Sequence, residues 1–179
     1  MALMYARIIF SVSIIFFLLN GALKAQSQSQ SEINSGFEWV NLDEAQVKAS
    51  ETGKNILLFG YAEWCTYCLK MRKESFTDST VQKSISDYYY PVQLNGESEE
   101  RIIWNGKEMP AKELARYLRL TSYPTHYFID SKGEILGAQP GFIEPYVYSP
   151  LLDYVGSGAY GNMSFEEFFE TQEESEGEK

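Results

Sequence analysis

The chain has 179 residues, of which 15 are basic and 25 acidic, for a formal charge of −10. That balance opposes binding to nucleic acid or to anionic membrane surfaces. Two cysteines and one histidine, His126, are too few for a disulfide framework and fall short of a four-ligand zinc shell.

The first element in chain order is a targeting pattern. Arg7 precedes an apolar stretch over residues 8–19, followed by Asn20-Gly21 and a small residue at Ala25. Residues 1–25 read as a secretory signal cleaved after Ala25, which places the remainder in the periplasm or outside the cell. The run is short for a membrane span, so an uncleaved anchor is the lesser alternative. Loss of Arg7 and Lys24 leaves 13 basic against 25 acidic residues, a charge of −12. About 150 residues then remain, enough for one domain with a proper core. Residues 26–36, rich in Gln and Ser, read as a flexible linker, and the domain is expected over residues 37–157. Residues 158–179 form an acidic tail with seven glutamates from Glu166 onward, expected to be solvated and frayed.

Within the domain, Asn41-Leu-Asp-Glu44 has the form of a capping box and starts a helix ending near Gly53. Residues 55–60, Asn-Ile-Leu-Leu-Phe-Gly, read as a buried strand, and residues 68–76 as an amphipathic helix. Residues 77–79 break that helix and cap another through Tyr88. Residues 89–94 form a second strand, which Pro91 places at an edge or a strand start. Asn105-Gly106 sits between apolar-bearing segments of residues 101–109 and signals a tight hairpin. Pro110 and Ala111 open a helix through Leu120. Residues 125–130 and 134–137 are two strands joined by Ser131-Lys132-Gly133, and a closing helix begins at Pro145 or Ser149 and ends at Val155. This alternation with a terminal hairpin implies an α/β fold, a central mixed sheet with helices on both faces.

The chemistry lies in Cys65-Thr66-Tyr67-Cys68, directly after Trp64. With no third thiol in the chain, these sulfurs react with each other or with an external partner. The pair falls where a strand feeds a helix, and Cys65 lies near the helix N-terminus. Unpaired N–H groups and the positive end of the helix dipole stabilise a thiolate there.

Tyr61-Ala-Glu-Trp-Cys-Thr-Tyr-Cys68, together with Ser122-Tyr-Pro-Thr125, resembles the thioredoxin superfamily, and within it the exported thiol reductases. Residues 61–65, Phe76-Thr-Asp78 and Val81-Gln-Lys83 are similar to the C-terminal thioredoxin domain of the disulfide interchange protein DsbD. Lys107-Glu108, Glu113-Leu-Ala115, Pro124-Thr125, Asp130-Ser-Lys-Gly133 and Pro140-Gly-Phe142 resemble SoxW-type thioredoxins. The resemblance covers residues 37–155 and implies a thioredoxin-like fold.

It implies further that Cys65 is the exposed, attacking sulfur and Cys68 the resolving one. The Tyr123–Pro124 bond is expected to be cis, turning the backbone of Tyr123 toward substrate. Trp64 is expected to shield the pair and contact substrate. The implied activity is thiol–disulfide exchange, most simply reduction of protein disulfides, with the Cys65–Cys68 disulfide as the redox group and no metal or other cofactor. The implied partners are substrate proteins with disulfides and a membrane electron donor, the protein itself being a monomer. A thiol oxidase, or a non-catalytic binding module of the same fold, is the alternative.

Two positions depart from the family pattern. Phe59 occupies the place, six residues before the first cysteine, where relatives carry a buried acid that accepts a proton from the resolving thiol. Arg72 stands where the DsbD domain has an acid. Both changes favour thiolate and a more oxidising disulfide. Glu63 is a candidate for the missing proton acceptor, with a solvated loop acid as the equal alternative. His126 follows Pro124 and reads more readily as an exposed strand-end histidine than as a neighbour of the sulfurs. Residues 96–110 account for the long separation between Cys65 and Pro124, either as a partner-selecting insert or as a tolerated loop.

Overall fold

The computed structural model describes residues 36–177. The expected leader, and the linker except for Gly36, lie outside the described residues.

Four strands form the central sheet in the order β2-β1-β5-β6. β1 (Asn55–Tyr61) pairs in parallel with β2 (Tyr89–Asn95) and antiparallel with β5 (Thr125–Ile129), which pairs antiparallel with β6 (Ile135–Pro140). Every residue of β1 from Ile56 to Gly60 is buried, as a central strand covered on both faces requires. The period of two then divides its side chains. Ile56 and Leu58 join one core with Leu42, Ala45 and Ala49 of α1 (Leu42–Thr52) and Leu114 and Ala115 of α4 (Ala111–Tyr117). Leu57 and Phe59 join the other, with α2 (Thr66–Lys73), α3 (Ser79–Tyr88) and α5 (Pro145–Gly156). The mixed sheet with helices on both faces agrees with the sequence.

Local signals are met with some differences. Asn41 is the N-cap of α1, but its side chain makes no capping hydrogen bond, so the capping box is not closed. Asp78 does cap α3, its carboxylate accepting from the amides of Thr80 and Val81. β2 is an edge strand, as Pro91 requires, and Val40 N–H donates to the Pro91 carbonyl at 2.8 Å. α4 ends at Tyr117 rather than Leu120, because Arg119 turns left-handed with φ 57°.

Residues 101–110 are a hairpin, β3 (Arg101–Trp104) and β4 (Lys107–Pro110), turned at Asn105 and Gly106 with φ 49° and 75°. Two consecutive positive φ values are what a two-residue hairpin turn demands. The hairpin is tied to α1 through Gln46, whose side chain donates to the Ile103 carbonyl and accepts from the Asn105 amide. Trp104 and Met109 are buried in the α1 core, so this segment is part of the fold rather than a loose decoration.

The expected frayed tail is instead helical from Phe165, as α6 (Phe165–Gly177). Ser164 and Glu167 exchange hydrogen bonds at its start in a capping box. Phe165 and Phe168 pack against Tyr154 of α5, which supplies the apolar contact that the glutamate count obscured. Among the described residues no helix is long and apolar enough to cross a membrane.

Candidate active site

β1 runs out at Tyr61 and delivers the chain, through Ala62, Glu63 and Trp64, to the start of α2. Cys65 is the N-cap of that helix, and its sulfur accepts a hydrogen bond from the Cys68 amide at 3.0 Å. The two cysteines are joined as a disulfide with Cα atoms 5.2 Å apart. Cys65 is 6% exposed and Cys68 2%, so the expected exposure of Cys65 holds only relative to its partner. Its sulfur lies low among side chains that do stand in solvent, Trp64 and Tyr67 at 69% and 61%.

β5 begins at the same end of the sheet, since Gly60 pairs with Thr125. The bond before it, Tyr123–Pro124, is cis. The Pro124 carbonyl accepts from Gly141 N–H at 2.8 Å, which ties this loop to the end of β6. Tyr123 meets Trp64 edge to face, ring centres 5.7 Å apart, and packs against the core that contains both sulfurs. The structure thus brings Trp64, Cys65, Cys68, Tyr123 and Pro124 to one end of the sheet.

Glu63 is exposed on the rim, and its carboxylate accepts from the Asn95 side chain at 3.3 Å. Phe59 is fully buried in the core cluster that contains both sulfurs, in an aromatic layer with Trp39, Tyr61 and Phe76. The Arg72 guanidinium lies 4.5 Å from the Tyr61 ring centre and bonds to Gln93. It is therefore directed toward the β1–β2 side of α2, half-buried rather than free in solvent.

His126 corrects the expectation of an exposed histidine. It pairs with Phe59 across β1 and β5 and is 0% exposed on the face that holds the sulfurs. Its Nδ1 shares a hydrogen bond of 2.8 Å with the Tyr148 hydroxyl, while Nε2 has no partner within hydrogen-bond geometry. Burial pushes its pKa down to about 3, and the Gly141 backbone opposes that weakly. The same burial holds the Tyr148 hydroxyl well above its ordinary value. A neutral imidazole is what this apolar layer tolerates. Reading outward from Phe59 could have located it only with the β1–β5 register in hand.

Sequence reasoning also missed Glu97. Its carboxylate oxygens accept from Trp64 Nε1–H at 3.0 and 3.1 Å. Nothing in the local sequence singles it out among the acids of residues 97–100. Among the described residues, no group of three or more His, Cys, Asp or Glu side chains is placed to hold a metal ion.

A model of the thioredoxin-like domain matches residues 42–156, from the start of α1 to the end of α5. The chain belongs to the thioredoxin-like domain family. Its curated relatives include the thiol:disulfide interchange protein DsbD of Escherichia coli K12, 29% identical over 121 residues, which are 65% of this chain and 20% of the relative. DsbD of Citrobacter koseri is 31% identical over 109 residues, 60% of this chain and 17% of that one. The chain thus spans about a fifth of the length of these relatives. Solved structures of the same fold include a thioredoxin-fold protein from Helicobacter pylori, with TM-score 0.60 and 17% identity over 81% of this chain and 91% of that one. A thioredoxin from Thermus thermophilus has TM-score 0.56 and 22% identity over 66% and 86%. The thioredoxin-like domain and its Cys65–Cys68 pair therefore coincide with the sheet and helix junction described above.

Proposed function

We propose that this protein is an exported thiol–disulfide oxidoreductase that reduces disulfides in other proteins, with Cys65–Cys68 as its only redox group. The observation that carries the reading is the cysteine pair at the N-cap of α2, where the Cys65 sulfur already receives a backbone N–H. In the reduced protein that donor and the helix dipole favour a Cys65 thiolate. The thiolate attacks a substrate disulfide and forms a mixed disulfide, releasing one substrate thiolate. Cys68 then loses its proton to solvent or a nearby base and attacks the Cys65 sulfur. The second substrate thiolate leaves, and the domain returns to the disulfide form with two electrons transferred. Reduction by an external dithiol, supplied by a membrane electron donor, resets the pair. The names of the DsbD relatives support this class of exchange.

Tyr123 and Pro124 are assigned to hold the substrate chain beside Cys65, and Trp64 to shield it. Phe59 and Arg72 favour the opposite direction, thiol oxidation, because both changes stabilise thiolate. The reduction potential separates the two: a value near that of thioredoxin supports the reductase, and one near that of DsbA the oxidase.

Insulin reduction with dithiothreitol is expected to proceed with the wild-type protein and to vanish in Cys65→Ser. Equal rates in the two would replace the enzyme by a binding module. Export is checked by N-terminal sequencing of the secreted protein, expected to begin at or near Gln26.

A further inference from the structure

The segment between β2 and β3 enters the site through Gly96 and Glu97. Gly96 N–H donates to the Tyr61 carbonyl at 2.9 Å. The Tyr123 side chain lies against it so closely that a β-carbon on Gly96 would stand 2.2 Å from the tyrosine hydroxyl. Only a glycine leaves room for Tyr123 in this position. Glu97 follows in the same turn, its amide donating to Asn95 Oδ1 at 3.1 Å, and its two carboxylate oxygens take the Trp64 indole N–H.

Trp64 is 69% exposed, so core packing does not fix its ring. Two contacts do: the edge-to-face meeting with Tyr123 and the hydrogen bond to Glu97, which is charge-assisted and so among the stronger kinds. The neighbouring cations of the segment are committed elsewhere, Arg101 to Glu108 and Lys112 to Glu99. Among the described residues Glu97 forms no salt bridge, and its carboxylate stands beside the ring. Its field reaches the cleft, since partial burial and the Glu97 carboxylate together hold the Tyr123 hydroxyl above its ordinary value.

We infer that Glu97 is a specificity-determining residue of the exchange reaction. It fixes Trp64 against Tyr123 as one wall beside Cys65 and makes that wall negative, so disulfides flanked by a basic residue are taken in preference to those flanked by an acidic one. The inference rests on the oxidoreductase reading of Cys65 and adds the substrate class. Glu63, the residue before Trp64 on the same rim, contributes charge, but its carboxylate is bonded to Asn95 and the indole N–H goes to Glu97.

The test uses the full chain with Cys68→Ala, so that Cys65 reacts once. Two peptides, identical except for Lys or Glu next to their single cysteine, are presented as mixed disulfides with nitrothiobenzoate. Cys65 thiolate attacks the peptide sulfur, the peptide stays on Cys65, and nitrothiobenzoate leaves as a coloured thiolate. The ratio of Lys to Glu rates is divided by the same ratio measured with glutathione as attacker. It is expected to be about fivefold at low ionic strength and to narrow with added salt. Glu97→Gln, which keeps an acceptor for the indole, is expected to reduce the ratio at least twofold, and Glu63→Gln to reduce it less. A ratio in Glu97→Gln equal to that of the parent overturns the inference. Failure of the reductase reading shows separately, as absence of insulin reduction by the intact pair, and leaves this single-turnover ratio measurable.

Discussion

On one face of the sheet Ile56 and Leu58 meet aliphatic side chains of α1 and α4; on the other, Leu57 and Phe59, one residue along the same strand, meet the cysteines, Met71, Phe76 and Tyr148. The first core is closed by small and branched residues and by the hairpin's Trp104 and Met109. The second is built of rings, and those rings continue from Phe76 through Phe59 and Tyr61 toward the rim of the site. One face is scaffold. The other is a continuous layer from core to reactive sulfur, and it alone hides an imidazole, because Tyr148 gives one ring nitrogen a partner. The contrast teaches that changes of similar size should affect stability on one side and thiol chemistry on the other.

At neutral pH the largest effect is expected on the scaffold face. Leu58→Ala removes a fully buried side chain and should cost about 3 kcal/mol of stability. Cys65 in the folded fraction should keep its alkylation rate. Denaturant titration and iodoacetamide kinetics check the two halves, and a slowed alkylation in folded Leu58→Ala would break the separation of the faces.

The second prediction concerns acid. His126 is held neutral with a pKa near 3, against about 6.5 in the unfolded chain. The unfolded state therefore binds a proton that the native state refuses. The stability this leaves intact above pH 6.5 is lost as pH falls toward 3, by up to about 1.4 kcal/mol per pH unit. His126→Phe cannot titrate and should remove that share of the acid dependence, at a cost of about 1 kcal/mol at neutral pH for the unpartnered Tyr148 hydroxyl. Unfolding curves at pH 7, 5.5 and 4 give the slopes; identical slopes in the two proteins would assign acid sensitivity elsewhere, for instance to Asp78, whose carboxyl the Thr80 side chain and local amides hold below its ordinary value.

The smallest effects are on the thiol itself. In the reduced protein Cys65 is expected to titrate below the free-thiol value of about 8.5, since Phe59 brings no opposing charge. Phe59→Asp should raise that value by about one unit and make the pair more reducing. Arg72→Glu should act in the same direction by a few tenths, its guanidinium being spent on Tyr61 and Gln93. Alkylation rate against pH reads both, and a wild-type value at or above 8.5 would overturn the argument from these two positions.

Local physics made much of this protein legible in the chain itself. An apolar run too short for a helix became β1, Asn105-Gly106 became the hairpin turn that positive φ values require, Pro91 marked an edge, and a Cys-x-x-Cys pair after a strand became a helix cap. Each depends on a few neighbouring residues and their backbone preferences. What tertiary structure decided is of another kind. β5 is buried on both faces, so its sequence carries no alternation to tell whether His126 points to solvent or core; the pairing with Phe59 settles that. The glutamates of the last segment spoke for a solvated end, and the fit of Phe165 and Phe168 on Tyr154 made it a helix. Glu97 is one acid among several until the turn after β2 brings it to the Trp64 indole, 33 residues away in the chain. Burial and long-range contact are properties of the folded surface as a whole, and short-range pattern holds no record of them.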